Sequence, residues 1–204
     1  MVMLRSAFPA ILLCWTAASY TSLEPAQTAS RLALSSGPPI GAESPSFDPQ
    51  HVAGPDKGSH ACPMCKYGHQ AGVLVWVNTD ELAGTAILSR RLEWEIRERG
   101  AQWIRAFIIY MNPEGRPISE VRALLTAFSE RAALTQVAVT YVPSPTDEKS
   151  SRLYGINPDP SVKNTVIVYL NRTVFDKFVN LGVDEESLDR LMKSVDRAHG
   201  TPRT

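Results

Sequence analysis

Val73-Leu74-Val75-Trp76-Val77 is an unbroken apolar run of strand length, and Asn78-Thr79-Asp80, three residues able to cap a helix, follow it directly. With no polar alternation, the run reads as a strand buried on both faces, as in a parallel sheet. Beyond the caps, Leu88, Leu92 and Ile96 recur at helical spacing until Gly100. Arg90, Arg91, Glu93, Glu95, Arg97, Glu98 and Arg99 make the solvated face of the same helix. A second apolar run, Trp103 to Tyr110, then predicts a strand lying parallel to the first, and Asn112-Pro113-Glu114-Gly115 predicts the turn after it.

The pattern continues outward. Ser119 is placed to cap a helix whose apolar face is Val121, Leu124, Leu125, Phe128 and Ala132, and Val137 to Val142 reads as a third strand. A short helical piece is expected from Asp147 to Tyr154, ended by Gly155. Thr165 to Leu170 and Val174 to Val179 face each other across Asn171 to Thr173 as a hairpin. Val183 before Asp184, with Leu188 beyond, suggests a hydrophobic staple at the start of a last helix carrying Leu191, Met192 and Val195.

Strand, helix, strand, helix, strand, short helix, hairpin, helix is an order that resembles the thioredoxin-like fold. Val73 to Val77, Leu153-Tyr154-Gly155-Ile156 before the hairpin, and Phe178-Val179-Asn180-Leu181-Gly182 before the final helix are the most similar stretches. The resemblance implies an α/β domain, a three-layer α/β/α sandwich with a mixed sheet, over residues 58–199. It also implies thiol chemistry.

That chemistry has one place to reside. His60-Ala61-Cys62-Pro63-Met64-Cys65-Lys66-Tyr67-Gly68-His69 is a Cys-x-x-Cys with proline inside it and a histidine on either side. Proline between the cysteines and lysine after them resemble the active-site sequences of thioredoxins, glutaredoxins and DsbA-type oxidoreductases. Lys66 in place of histidine disfavours c-type haem attachment. Cys62 and Cys65 are therefore read as a catalytic redox pair, with Cys62 the attacking sulfur as in related oxidoreductases, and with Lys66, His60 or His69 lowering a thiol pKa. Two other readings stay open: a structural disulfide, and a metal site made by both cysteines with His60 or His69.

The resemblance breaks in two places. In thioredoxins the motif follows the first core strand and opens its helix; here that junction is Asn78-Thr79-Asp80-Glu81, without a thiol, and its acidic residues read as capping. Cys62 and Cys65 precede the strand, only 7 residues lie between Cys65 and Val73, and no helix of useful length is expected there. The motif should sit at the strand's N-terminal end, at the opposite pole from the family's active site. The family also places a cis-proline before the hairpin, where this chain has Lys163-Asn164.

Met1 to Ser19, with Arg5, an apolar run from Ala7 to Ala18 and small residues at its end, reads as a secretory signal. Its removal would take Cys14 with it and leave Cys62 and Cys65 as the remaining cysteines, expected to be bridged in an oxidising compartment. Residues 20–57, rich in Ser, Ala, Pro and Gly, read as a flexible spacer, and 200–204 as a disordered tail. The expected location is secreted or periplasmic, with no membrane attachment after cleavage. Among 204 residues, 21 basic and 21 acidic side chains balance, which gives no electrostatic case for nucleic acid. No nucleotide loop, nucleophile elbow or zinc-protease helix is present, so neither a cofactor nor a resident metal is assigned. The expected partners are protein thiols or disulfides.

Overall fold

The computed structural model describes residues 34–200. The expected signal at 1–19, the first part of the spacer and the last four residues of the tail lie outside them.

β2 (Gly72–Val77), the apolar run of Val73 to Val77 extended by one residue, is buried along its whole length. It runs parallel to β3 (Arg105–Tyr110), which runs parallel to β4 (Ala138–Tyr141); on its other side it is antiparallel to β5 (Asn164–Leu170), itself paired with β6 (Thr173–Val179). An N-terminal strand, β1 (Gln50–Ala53), adds antiparallel to β4, giving the six-stranded order β1-β4-β3-β2-β5-β6. The expected placement of the first two strands as parallel neighbours, with the hairpin on the far side, is what forms. This mixed α/β sheet is the thioredoxin-like architecture.

Successive side chains of a strand point to opposite faces, so β2 divides its residues between two cores. Val73, Val75 and Val77 join Leu88, Leu92 and Ile96 of α2 (Leu82–Arg99), Val121, Leu125 and Phe128 of α3 (Ile118–Arg131), and Leu188, Leu191 and Val195 of α4 (Glu185–Ala198). Leu74 and Trp76 face the other way, to Phe107, Ile109, Ile167, Tyr169, Phe47, Tyr154 and the short helix α1 (Pro63–Tyr67). Both parallel crossovers advance in the same direction across the sheet, and the right-handed rule then puts α2 and α3 on one face. The second face is closed by α1 and irregular chain. That irregular chain is where the sequence misleads.

Residues 34–57, expected to belong to a flexible spacer, pack on the domain instead. Phe47 is buried against Trp76 and Tyr154, at centroid distances of 5.1 Å each, and Ser36 bonds Thr165 at 2.6 Å. The sheet leaves a wide apolar face at Leu74, Trp76 and Ile167 that no long helix covers, and a Pro/Gly/Ser-rich segment with one aromatic anchor fills it. Asp147 to Tyr154 forms a succession of turns rather than a helix, closed by Gly155 at φ +60. Ser119 is not the cap of α3; Pro117 holds that position. At the hairpin, Asn171 and Arg172 both have positive φ, 49 and 61, the two-residue geometry that matches strand twist. Asp184 caps α4 by accepting from the Ser187 N–H at 2.9 Å. No helix among the described residues is long and apolar enough to cross a membrane.

Candidate functional site

Local rules explain α1. Cys62 is its N-cap with extended φ/ψ, Pro63 occupies a first-turn position where a missing N–H costs nothing, and the Cys65 N–H donates to Cys62 Sγ at 3.0 Å. Cys62 and Cys65 are bridged, with Cα atoms 5.2 Å apart. No helix of useful length follows the motif before β2, as expected, but the motif itself forms a single turn, because proline starts it and buried side chains hold it. Met64 is fully buried and Tyr67 nearly so, both on the second face of the sheet beside Phe107 and Tyr169. Gly68 ends the turn where the hairpin passes close. The Arg172 N–H donates to its carbonyl at 2.7 Å, and a Cβ on Gly68 would collide with Met64 O and the Arg172 side chain. Chain then runs directly into β2, with the Arg105 N–H bonded to Ala71 O at 3.1 Å. The motif lies at the N-terminal end of β2, as the sequence placed it.

Cys65 is exposed and Cys62 is half-buried. Around them the charges are distributed differently from expectation. Lys66 is expected to act on a sulfur, but its ammonium pairs with Asp56, whose second oxygen accepts from the Tyr67 hydroxyl at 2.8 Å. Burial pushes the Asp56 carboxyl up, yet the bonds from Lys66 and Tyr67 prevail and hold it below its usual range. The same bond to Asp56 raises Lys66. His60 and His69 are exposed, and among the described residues no group of three or more His, Cys, Asp or Glu side chains converges as metal ligands would.

The histidine that does touch the motif's approach is His51, on β1. It is buried, and its Nε2 lies 2.9 Å from Ala61 O. A carbonyl only accepts, so Nε2 carries a proton, and among the described residues the buried Nδ1 has no partner. Burial lowers the His51 pKa, against the opposing pull of the Ala61 carbonyl and Asp56. Asp56, His51 and Arg105 escaped sequence reasoning because each reaches the motif through a tertiary contact; the Gly54-Pro55-Asp56 turn was the only local signal.

At the opposite pole, where related folds place their thiol, Asp80 is not the cap of α2. Glu81 holds that position without a side-chain bond, while Asp80 accepts from the Tyr110 hydroxyl and pairs with Arg116, whose Nε lies at 2.7 Å. Burial first, then Asp80, pushes the Tyr110 hydroxyl well above its ordinary pKa. A cavity of about 140 Å³ opens beside them, rimmed by Asn78, Pro113, Pro145, Pro158, Pro160 and Lys163. The prolines before the hairpin therefore line this cavity, and the pole holds an ion pair where a redox pair would stand.

No family model and no curated protein matches the sequence. Solved structures do. A putative thiol:disulfide interchange protein DsbE from Chlorobium tepidum is 13% identical, with 78% of this chain and 97% of that one covered at a TM-score of 0.55. BsSco, a member of the Sco family of cytochrome c oxidase assembly proteins in which a disulfide switch was identified, is 14% identical over 80% and 97% of the chains, at 0.58. A thiol peroxidase from Chromobacterium violaceum is 16% identical over 81% and 91%, at 0.55. At these identities the likeness is one of fold.

Proposed function

We propose that Cys62 and Cys65 form an exchangeable redox pair, and that the chain is an exported thiol–disulfide oxidoreductase acting on protein thiols or disulfides. One observation carries the reading: the bridge closes the first turn of α1, with the Cys65 N–H directed at Cys62 Sγ and the Cys65 residue open to solvent. On reduction that N–H would stabilise a Cys62 thiolate, which is the nucleophile of exchange. The thiolate attacks a substrate disulfide, forming a mixed disulfide and releasing one substrate thiolate. Cys65, as thiolate, then attacks Cys62 Sγ and releases the second, so two electrons pass from the dithiol to the substrate. Run backward, the bridged protein oxidises a dithiol. The fold shared with a DsbE-like interchange protein and BsSco is consistent with such work.

A second reading has its own support. The hydrogen bond from Arg172 to Gly68 ties the motif to the hairpin turn, a junction that a permanent bridge would reinforce. A redox titration followed by thiol alkylation and mass spectrometry separates the two. Exchange predicts a potential in the range of exchange catalysts, whereas a potential below about −300 mV would assign the bridge to structure. Cell fractionation and the mass of the mature chain check export, with a start near Tyr20 expected.

A further inference from the structure

Among the described residues, Arg105 is the cation stacked on the helix of the disulfide that has no anion. Lys66 has Asp56, and Arg172 has Glu43 at 3.4 Å and Ser46 Oγ at 3.1 Å. Arg105 is fixed as the first residue of β3, in register with Gly72, and its guanidinium carbon lies 4.7 Å from the centroid of the Tyr67 ring. Its Nε is buried without an acceptor, and among the described residues the guanidinium has neither a hydrogen bond nor an ion pair. Asp56 lines the same small cleft as Arg105, but Lys66 and Tyr67 hold its oxygens and it makes no ion pair with Arg105. Lys57, on the neighbouring turn, is exposed and has no carboxylate partner among the described residues.

Tyr67 belongs to α1, just beyond Cys65, so the unpaired guanidinium stacks on the same short helix that presents the sulfurs. Arginine is the side chain whose fork of N–H donors matches a carboxylate, and stacking on an aromatic ring holds that fork in place. We propose that Arg105 is an anion-binding subsite of the exchange site, and that the substrate carries a carboxylate close to its sulfur. This rests on the reading that Cys62–Cys65 exchanges. With Arg105 holding the carboxylate, a substrate thiolate attacks one sulfur of the bridge, forming a mixed disulfide and releasing the other cysteine as thiolate. A second substrate thiolate then attacks the substrate sulfur of that mixed disulfide and releases the protein cysteine as thiolate, so that two electrons enter the protein and the substrate leaves as its disulfide. The carboxylate could belong to a small thiol acid or to an acidic segment of a protein.

The test is the rate at which the oxidised full chain is reduced by thioglycolate, which carries a carboxylate, and by 2-mercaptoethanol, which is neutral, each expressed per thiolate. In Arg105→Gln the ratio of the first rate to the second should fall roughly tenfold, the low end of what a focused charge gives. Arg105→Lys should keep most of the ratio. On the unaltered protein, raising ionic strength should lower the same ratio, a measurement that needs no variant to fold. A parallel pair of cysteine peptides, one flanked by aspartates and one by glutamines, identifies the source. Selectivity with thioglycolate points to a small thiol acid, and selectivity with the peptides alone points to an acidic protein segment. A ratio that neither Arg105→Gln nor salt changes, with both kinds of probe, overturns the proposal. A bridge that no thiol reduces sinks the exchange reading and the subsite with it, and is told apart from equal reduction of all probes.

Discussion

Reduction of the Cys62–Cys65 bridge is a perturbation whose size follows from the structure. The bridge spans a sequence separation of 3, so the loop it closes is short, and the chain-entropy contribution of so small a ring is roughly 2 kcal/mol. What holds α1 otherwise is independent of the sulfurs. Met64 and Tyr67 stay buried, Asp56 still takes Lys66 and Tyr67, and Arg172 still donates to Gly68. Cys62 also remains the N-cap, since its sulfur can accept the Cys65 N–H as thiol or thiolate. The reduced protein should therefore keep its fold and lose only that contribution, which for a domain of this size lowers Tm by about 4–8 °C. Thermal unfolding followed by circular dichroism with and without a phosphine reductant reads this directly, and Cys62→Ser with Cys65→Ser should give a similar drop. A loss of more than about 15 °C, or unfolding on reduction at room temperature, would refute the reasoning. It would mean that the bridge, and not the buried side chains, holds this corner together, as a permanent staple would.

Glu93, expected on the solvated face of α2, is buried instead, and its carboxylate accepts from the backbone N–H groups of Thr135, Gln136 and Val137 at 3.1, 2.9 and 2.9 Å, so Glu93→Ala should cost about 2–4 kcal/mol in urea unfolding by leaving those donors unpaired. Burial would raise that carboxyl, but the Val137, Thr135 and Gln136 bonds outweigh it and hold its pKa below the usual value. Its contribution is therefore present above the ordinary glutamate pKa and lost as pH falls through the lowered one; a Glu93→Gln variant should flatten the acid limb of the stability–pH curve, and an unchanged limb would contradict this. Gly72→Ala would push a Cβ into the buried ring and hydroxyl of Tyr169 and should destabilise by about 1–3 kcal/mol, measured by the same unfolding; a neutral result would show that Tyr169 has room to move.

Sequence alone determined the parts of this protein whose signal is periodic or local. Val73 to Val77 and Trp103 to Tyr110 read as buried strands, the second beginning at Arg105 after a turn at Trp103, the apolar spacing after each fixed α2 and α3, and Asp184 announced the start of α4. Together these carry the thioredoxin-like order. It also located Cys62 and Cys65 and placed them at the N-terminal end of β2, because chain order and a short connection leave no other pole. What tertiary structure alone decided is what each of those residues meets. Residues 34–57 have no periodicity, so neither β1 nor the burial of Phe47 was legible; β1 exists because the edge of β4 offers it a ladder, and Phe47 is buried because the second face of the sheet needs a cover. Asp80 carries a helix-capping signature, yet Tyr110 and Arg116 arrive from β3 and the loop after it and claim its carboxylate. Lys66 stands next to Cys65 in the chain, but its charge goes to Asp56 on the preceding turn, while Arg105, distant in sequence, is the cation left open beside α1. A local pattern states what a residue can bond. Only the fold, by bringing competitors within a few ångströms, chooses which bond is made.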